Sequence, residues 1–212
     1  MQDFPVFTTN NGVASLILSQ IPYTQKAYIQ IQSSETADLL LDECVSFCTA
    51  VGAEHIYASG HPVCAKYPFF TQIWKMQADA DSIGETDASI FPMCEKTVAK
   101  WREIYNEKVR LVPNGAFLTI QKSQEFLKAG DCYFVHREGK LLGIGKAAAD
   151  RIEWIASVEK GAGEDVICAL RRALSAETVW LEVASENKKA LLLYEKLGFL
   201  KVSVVSQWYQ IK

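Results

Sequence analysis

Gly161 and Gly163 stand one residue apart between two patterned segments. Before them, Ile152, Trp154 and Ala156 alternate with Glu153, Ile155 and Ser157, the period of a strand. After them, Val166, Leu170, Ala173 and Leu174 recur at helical spacing. Glycine at such a junction permits a positive φ or a close backbone approach. A strand, a glycine turn and a helix N-terminus together make an anion site. The first-turn N–H groups lack partners, and the helix dipole adds positive potential. The chemistry is that of a phosphate or pyrophosphate, although a tight turn without a ligand fits the same glycines. Glu164 and Asp165 fall in the helix's first turn, where each stabilises it by about 0.3–1 kcal/mol. Beside a phosphate they would repel, and Lys160 offsets one of them.

Cys44, Cys48, His55, His61 and Cys64 form a second group of chemically capable residues. Structural zinc usually takes paired Cys-x₂₋₄-Cys ligands with matching partners. Cys44 and Cys48 instead fall on the apolar face of a strongly patterned helix, where buried free cysteine is common. No metal site is expected. Neither Cys132 nor Cys168 has a base placed beside it by the sequence, as thiol catalysis would need.

The elements after the glycine turn are well marked. Val179–Val183 reads as a buried strand. Ala190, Leu193, Tyr194 and Leu197 make an apolar helical face, with Asn187 or Ser185 as its N-cap. Gly198 sits where a C-terminal cap glycine belongs, and Phe199 is placed to fold back on the last turn. Asn187, Ala190, Tyr194 and Gly198-Phe199, read as N-x-x-A-x-x-x-Y-x-x-x-G-F, resemble the signature of the GNAT superfamily of N-acetyltransferases. The resemblance is specific over Ile152–Phe199, and the order of elements extends it back to about Gln72.

That resemblance implies an acetyl-coenzyme A cosubstrate and an amine acceptor. The pyrophosphate would sit on Gly161, Ala162 and Gly163, and the pantetheine arm would pair with Ile155, Ala156, Ser157 and Val158. Asn187 would contact the cofactor or cap its helix, and both can hold. Tyr194 would stand near the coenzyme A sulfur and protonate the leaving thiolate; the other reading is a core tyrosine. An amine must be neutral to attack, so a general base helps. Glu153 lies on the cofactor strand, and alternation puts it on the face opposite Trp154; the other reading is a solvated strand carboxylate. One departure is Val158, which stands where the family usually has Arg or Gln. The alternative to an acetyltransferase is therefore a catalytically degenerate GNAT-fold module that binds a ligand or partner.

The rest of the chain supplies the frame. Tyr28, Ile29 and Ile31 suggest a strand, and Ser33 or Ser34 is expected to cap a helix whose face carries Ala37, Leu40, Leu41, Cys44 and Cys48. His55–Ala58 is a short strand, and Ala53–Ser59 resembles Ala176–Ser185 with residues missing. Phe69–Met76 reads as a strand and residues 77–89 as a loop. Pro92 is expected at the first position of a helix running through Trp101 and Lys108, closed by Pro113 and Asn114-Gly115. Phe117–Ile120 is expected as a short strand, with Ser123 capping a helix that ends at Gly130. Cys132–His136 and Leu141–Ala148 form a hairpin. The last strand is expected over Val202–Ile211.

These patterns predict an α/β protein: a mixed, mostly antiparallel GNAT-like sheet with helices on both faces, plus an N-terminal strand–helix–strand unit. The expected division is an extension over residues 1–67, which resembles half of a duplicated GNAT unit, and a GNAT-like domain over residues 68–212. With 49% hydrophobic and 22% charged residues in 212, the chain can build a substantial core. A net charge of −3 gives no basic footprint for nucleic acid. No apolar run approaches membrane-spanning length, and the N-terminus does not read as a secretory signal. Scattered cysteines suit a reducing cytoplasm. A homodimer is compatible with all of this.

Overall fold

Two kinds of apolar periodicity alternate along the chain, and the computed structural model, which describes residues 5–110, 112 and 117–212, converts them into strands and helices. The first elements are β1 (Val6–Thr9), β2 (Gly12–Ile17), a one-turn helix α1 (Ile21–Thr24) and β3 (Lys26–Ser33). Next come α2 (Ala37–Ala50), β4 (His55–Ser59), a 3₁₀ turn over Pro62–Lys66 and β5 (Phe69–Asp79). A second 3₁₀ turn (Ala80–Ser82) leads to β6 (Ser89–Pro92), α3 (Val98–Val109), α4 (Ile120–Ala129), β7 (Cys132–Arg137) and β8 (Lys140–Ala148). The chain ends with β9 (Arg151–Ser157), α5 (Gly163–Arg171), β10 (Thr178–Ala184), α6 (Lys188–Lys196) and β11 (Leu200–Gln210).

The described residues form two compact units. The first holds residues 5–73, 110, 112 and 204–212, and the second holds 74–109 and 117–203. In the first, β1, β2 and β3 pair antiparallel in that order, β3 pairs parallel with β4, and β4 pairs antiparallel with β11. Its core is built by Ala37, Leu40, Leu41, Cys44 and Cys48 of α2 against Leu16, Ile29 and Ile56 of the strands. Gly12 has φ +143, and a Cβ there would stand 2.3 Å from the Ser33 carbonyl oxygen, so the β2 entry tolerates no side chain.

In the second unit β6, β7, β8 and β9 pair antiparallel in sequence, and β9 pairs parallel with β10. Helices lie on both faces. Val166, Leu170, Leu191 and Leu197 of α5 and α6 pack in one cluster with Val179 and Leu181. Trp101, Ile104 and Phe126 of α3 and α4 pack in another with Phe134 and Ile144. The fully buried Trp101 donates its indole N–H to the Tyr133 carbonyl at 3.1 Å, which satisfies the one polar atom that its burial would strand. Added Cβ atoms at Gly143 and Gly145 would lie 2.6 Å from Val166 and 2.3 Å from Leu170, so α5 can seat on β8 only because both are glycine.

The expected mixed, mostly antiparallel sheet with helices on both faces is therefore present. Several local readings differ. Pro92 ends β6 rather than opening a helix, because Phe91 and Pro92 are in register with Phe134 and Tyr133; α3 starts at Val98. Phe117–Ile120 is not a strand. Thr119 caps α4 by accepting the Lys122 N–H at 3.1 Å, and Ser123 is buried inside the helix, its hydroxyl on the Ile120 carbonyl. Thr36, not Ser33 or Ser34, precedes α2. The turn through Pro113 and Asn114-Gly115 lies outside the described residues. Cys44, Cys48, Cys64, Cys132 and Cys168 are buried free thiols, and Cys94 is exposed. No helix among the described residues is long and apolar enough to cross a membrane.

Candidate active site

The glycine turn joins two parallel strands that part early. The register of β9 and β10 pairs Arg151 with Trp180 and Ile152 with Leu181, and goes no further. Beyond Ile152, β9 keeps its partner on the other side, with Trp154 opposite Lys146, Ile155 opposite Gly145, Ala156 opposite Ile144 and Ser157 opposite Gly143. Every second N–H and C=O of this stretch thus faces a gap without a sheet partner. The expected cofactor-strand residues Ile155, Ala156 and Ser157 line that edge.

Past the strand, the N–H groups of Val158 and Glu159 both donate to the Leu142 carbonyl, at 2.8 and 3.2 Å. Gly161 has φ +87 with open space around it, so backbone conformation requires glycine there. Gly163 is different: a Cβ would lie 2.8 Å from a Leu193 terminal methyl and 3.4 Å from the Ser157 hydroxyl. α6 approaches the turn closely at this position, though a side chain there would crowd only the movable end of Leu193. α5 starts at Gly163 after Ala162, which offers no side-chain cap. The first helical bond is Val166 N–H to Ala162 O, so the amides of Gly163, Glu164 and Asp165 lack an intrahelical acceptor.

The carboxylates that would repel an anion here are each held by a cation from elsewhere in the unit. Asp165 accepts from the Arg137 guanidinium and from the Thr86 hydroxyl, the latter at 2.7 Å. Glu164 pairs with Lys196, and Glu159 with Lys140 at 3.0 Å. Lys160 has no ion pair among the described residues. A cavity of about 530 Å³ opens beside the turn, lined by Arg137, Lys140 and Leu142 on one side and Glu159, Lys160 and Gly161 on the other. Sequence reading missed Arg137, Lys140 and Lys196. They come from the β7–β8 hairpin and from α6, and nothing adjacent to the turn announces them.

Across the turn, α6 is framed at both ends. Asn187 caps it by accepting the Ala190 N–H at 3.2 Å. Gly198, with φ +86, and the buried Phe199 close it: Phe199 N–H donates to Tyr194 O at 2.9 Å and Gly198 N–H to Glu195 O at 3.1 Å. The Phe199 ring rests 5.9 Å from that of Tyr194. Burial pushes the Tyr194 hydroxyl up to about 12, so it keeps its proton throughout the neutral range. Gly163, Ser157 and Leu193 are brought together, with Tyr194 the next residue on α6.

Glu153 is drawn elsewhere. The register of β8 and β9 shifts between Lys146 and Ala147, so Glu153 is an extra residue on β9 and strict alternation fails there. Its Oε2 accepts from the ammonium of Lys146, the register partner of Trp154, at 2.6 Å, which corrects the opposite-face expectation. Lys146 is 9% exposed and also pairs with Asp131 at 2.8 Å. Burial pulls its basicity down, but the hydrogen bonds to Asp131 and Glu153 outweigh this and raise it.

In this unit β6 to β9 pair antiparallel, β9 pairs parallel with β10, and that pair parts beside an uncapped, glycine-bounded helix start. Solved structures place this fold. A GCN5-related N-acetyltransferase from Kribbella flavida matches with TM-score 0.59 and 13% identity, over 96% of this chain and 58% of its own. A conserved protein of unknown function from Staphylococcus epidermidis matches with TM-score 0.58 and 10% identity, over 99% of this chain and 94% of its own. A tandem GNAT protein from the clavulanic acid biosynthesis pathway matches with TM-score 0.50 and 10% identity, over 97% and 81%. The chain has the fold of the GNAT N-acetyltransferases. No family model and no curated protein sequence matches it.

Proposed function

We propose that the chain transfers an acetyl group from acetyl-coenzyme A to an amine by direct attack. The observation that carries this reading is the parting of β9 from β10 after Ile152, beside three first-turn amides without acceptors. The amides of Gly163, Glu164 and Asp165 are suited to a pyrophosphate, and the open edge of Ile155–Ser157 to a pantetheine arm with its own amides. Asn187 caps α6, whose Leu193 reaches Gly163 of the turn.

In the reaction, the amine nitrogen bonds to the thioester carbon and the C–S bond breaks. Backbone N–H groups of β9 stabilise the developing oxyanion. Tyr194 gives its proton to the departing thiolate; burial keeps the hydroxyl protonated at neutral pH but also makes it a weaker acid, so an acceleration at the small end of general acid catalysis is expected from it. The amine's own proton leaves through water to Glu153, whose Oε2 is held by Lys146. That ion pair weakens Glu153 as a base, so a modest contribution is expected from it.

The second reading, a GNAT-fold binding module without catalysis, is favoured by Val158, which offers neither charge nor amide where the family usually has Arg or Gln. Calorimetry with acetyl-coenzyme A, followed by a thiol-release assay over a panel of amines, separates the two. Heat of binding plus thiol release supports the enzyme. Binding with no release across the panel supports the module, and no binding at millimolar cofactor overturns the acetyltransferase and leaves a module for another ligand or partner.

A further inference from the structure

The first unit has a wedge of its own, at a different strand pair. β11 is in register with β4 at Gln210–Tyr57 and Tyr209–Ala58, and the pairing stops there. β4 meanwhile keeps β3 through its last residue, Gln30 opposite Ser59. β4 ends at Ser59, so beyond Tyr209, toward Val205, the edge of β11 that faces β4 has no partner in that strand. Gly60 turns the chain out with φ +94; a Cβ there would stand 2.3 Å from the Ile31 carbonyl oxygen, so the turn admits no other residue without rearrangement. The result is a cavity of about 410 Å³ between the Ser59–Ala65 segment and residues 205–209 of β11.

Its lining is polar and carries no Asp, Glu, Lys or Arg. Gln30 and Gln207 bring carboxamides and Ser59, Ser206 and Tyr209 bring hydroxyls; the Tyr209 hydroxyl already donates to Gln207 Oε1 at 3.3 Å, which leaves its oxygen to accept. Ser59 is 3% exposed, so its hydroxyl is a nearly buried polar group at the cavity wall. His61 Nδ1 accepts the Val63 N–H at 3.2 Å, which in the neutral ring leaves the proton on Nε2, a donor. Ser206 accepts the Trp208 indole N–H at 3.1 Å and keeps its own proton to give. Pro62, Ala65 and Val205 supply apolar wall.

An ionised guest would shed part of its hydration here with no opposite charge among the lining residues to meet it. A guest with alternating N–H and C=O groups would instead meet the open edge of β11 as an added strand does, and the carboxamides as well. We propose that this wedge binds a short, extended, uncharged peptide segment. The inference does not depend on acetyl transfer, since every residue in it belongs to the first unit.

The test is an amide-resolved NMR titration of the whole protein with the blocked tripeptide N-acetyl-Ala-Ser-Ala-amide. The same titration with N-acetyl-Asp-Ser-Asp-amide and N-acetyl-Lys-Ser-Lys-amide serves as control. The expected result is a saturable shift confined to residues 59–65 and 205–209, with a Kd of roughly 1 mM or below, and at least tenfold weaker binding of both charged peptides. Ala65→Trp places bulk at an exposed position of the cavity wall, and should weaken the neutral tripeptide at least tenfold while the remaining amide spectrum is unchanged. Absence of a saturable shift, equal binding of the charged peptides, or undiminished binding by Ala65→Trp would each overturn the proposal.

Discussion

The two parallel crossovers, β3–α2–β4 and β9–α5–β10, have the same strand senses, and each follows a pair of antiparallel strands, yet they end differently. β3 and β4 stay in register from Lys26–His55 to Gln30–Ser59, whereas β9 and β10 stop at Ile152–Leu181. The helix starts differ too. Before α2, the Thr36 N–H donates to Ser34 Oγ at 3.1 Å and the Thr36 hydroxyl to Asn11 Oδ1 at 2.9 Å, so side chains occupy the polar groups of the turn. Before α5 there are two glycines and an alanine and no such side-chain bonds, although neither helix has a side-chain cap on its first-turn amides. A parallel crossover alone therefore leaves no gap between its strands. The early parting of β9 from β10 beside a glycine turn is what the second crossover adds.

The sharpest test of this contrast is electrostatic. The second unit buries Lys146 between Asp131 and Glu153, and Lys146→Met should cost about 3–5 kcal/mol by stranding carboxylates around it. The first unit's Lys66–Asp38 pair is exposed on both sides, so Lys66→Ala should change stability by less than about 1 kcal/mol. Denaturant melts of the two variants check this, and equal effects would remove the buried pair as a distinguishing feature.

The next largest effect concerns Tyr194. Tyr194→Phe keeps the ring packing on Phe199 and removes the proposed donor, so turnover should fall by roughly 10²-fold with cofactor affinity unchanged. The same variant reports on pH. A folded value of about 12 exceeds the ordinary phenol value near 10, so the folded state holds the proton more tightly. That contribution is fully present below about pH 10 and is lost as pH rises to 12, by up to roughly 2–3 kcal/mol. Comparing parent and Tyr194→Phe melts across this window isolates it from the other raised groups.

A smaller effect is expected at the turn. Gly163→Asp adds a like charge beside the proposed pyrophosphate and displaces only a Leu193 methyl, so acetyl-coenzyme A affinity should drop about tenfold, or 1.4 kcal/mol. Ser34→Gly with Thr36→Gly in the first crossover should leave that affinity unchanged. Calorimetry on both variants decides whether the contrast between the turns matters for binding.

How much of this was legible in the sequence depends on range. The strand, turn, helix, strand and helix from Ile152 to Phe199 follow from local spacing, as do the Asn187 cap and the Gly198-Phe199 closure. The bulge at Glu153 was not, because a register shift is a property of two strands and the pattern of one cannot show it. Nor were the counterions of the acidic turn. Arg137 is 28 residues from Asp165 and Lys196 is 32 from Glu164, distances that only the fold closes. Pro92 misled because its fixed φ suits an edge-strand end as well as a first helical turn.

The distribution of thiols gives each unit its own reporter of local unfolding. Cys44, Cys48 and Cys64 lie in the first unit's core, and Cys132 and Cys168 in the second's. Burial raises all five, Cys44 to about 12 and Cys48 to about 11, so their thiolates are scarce while the chain is folded. The exposed Cys94 is lowered by the Thr97 hydroxyl and reacts at once with an alkylating reagent. Every later addition requires an opening, and peptide mapping of the adducts identifies which unit opened. Alkylation timed against denaturant would thus rank the two units by opening free energy, with no label or engineered residue.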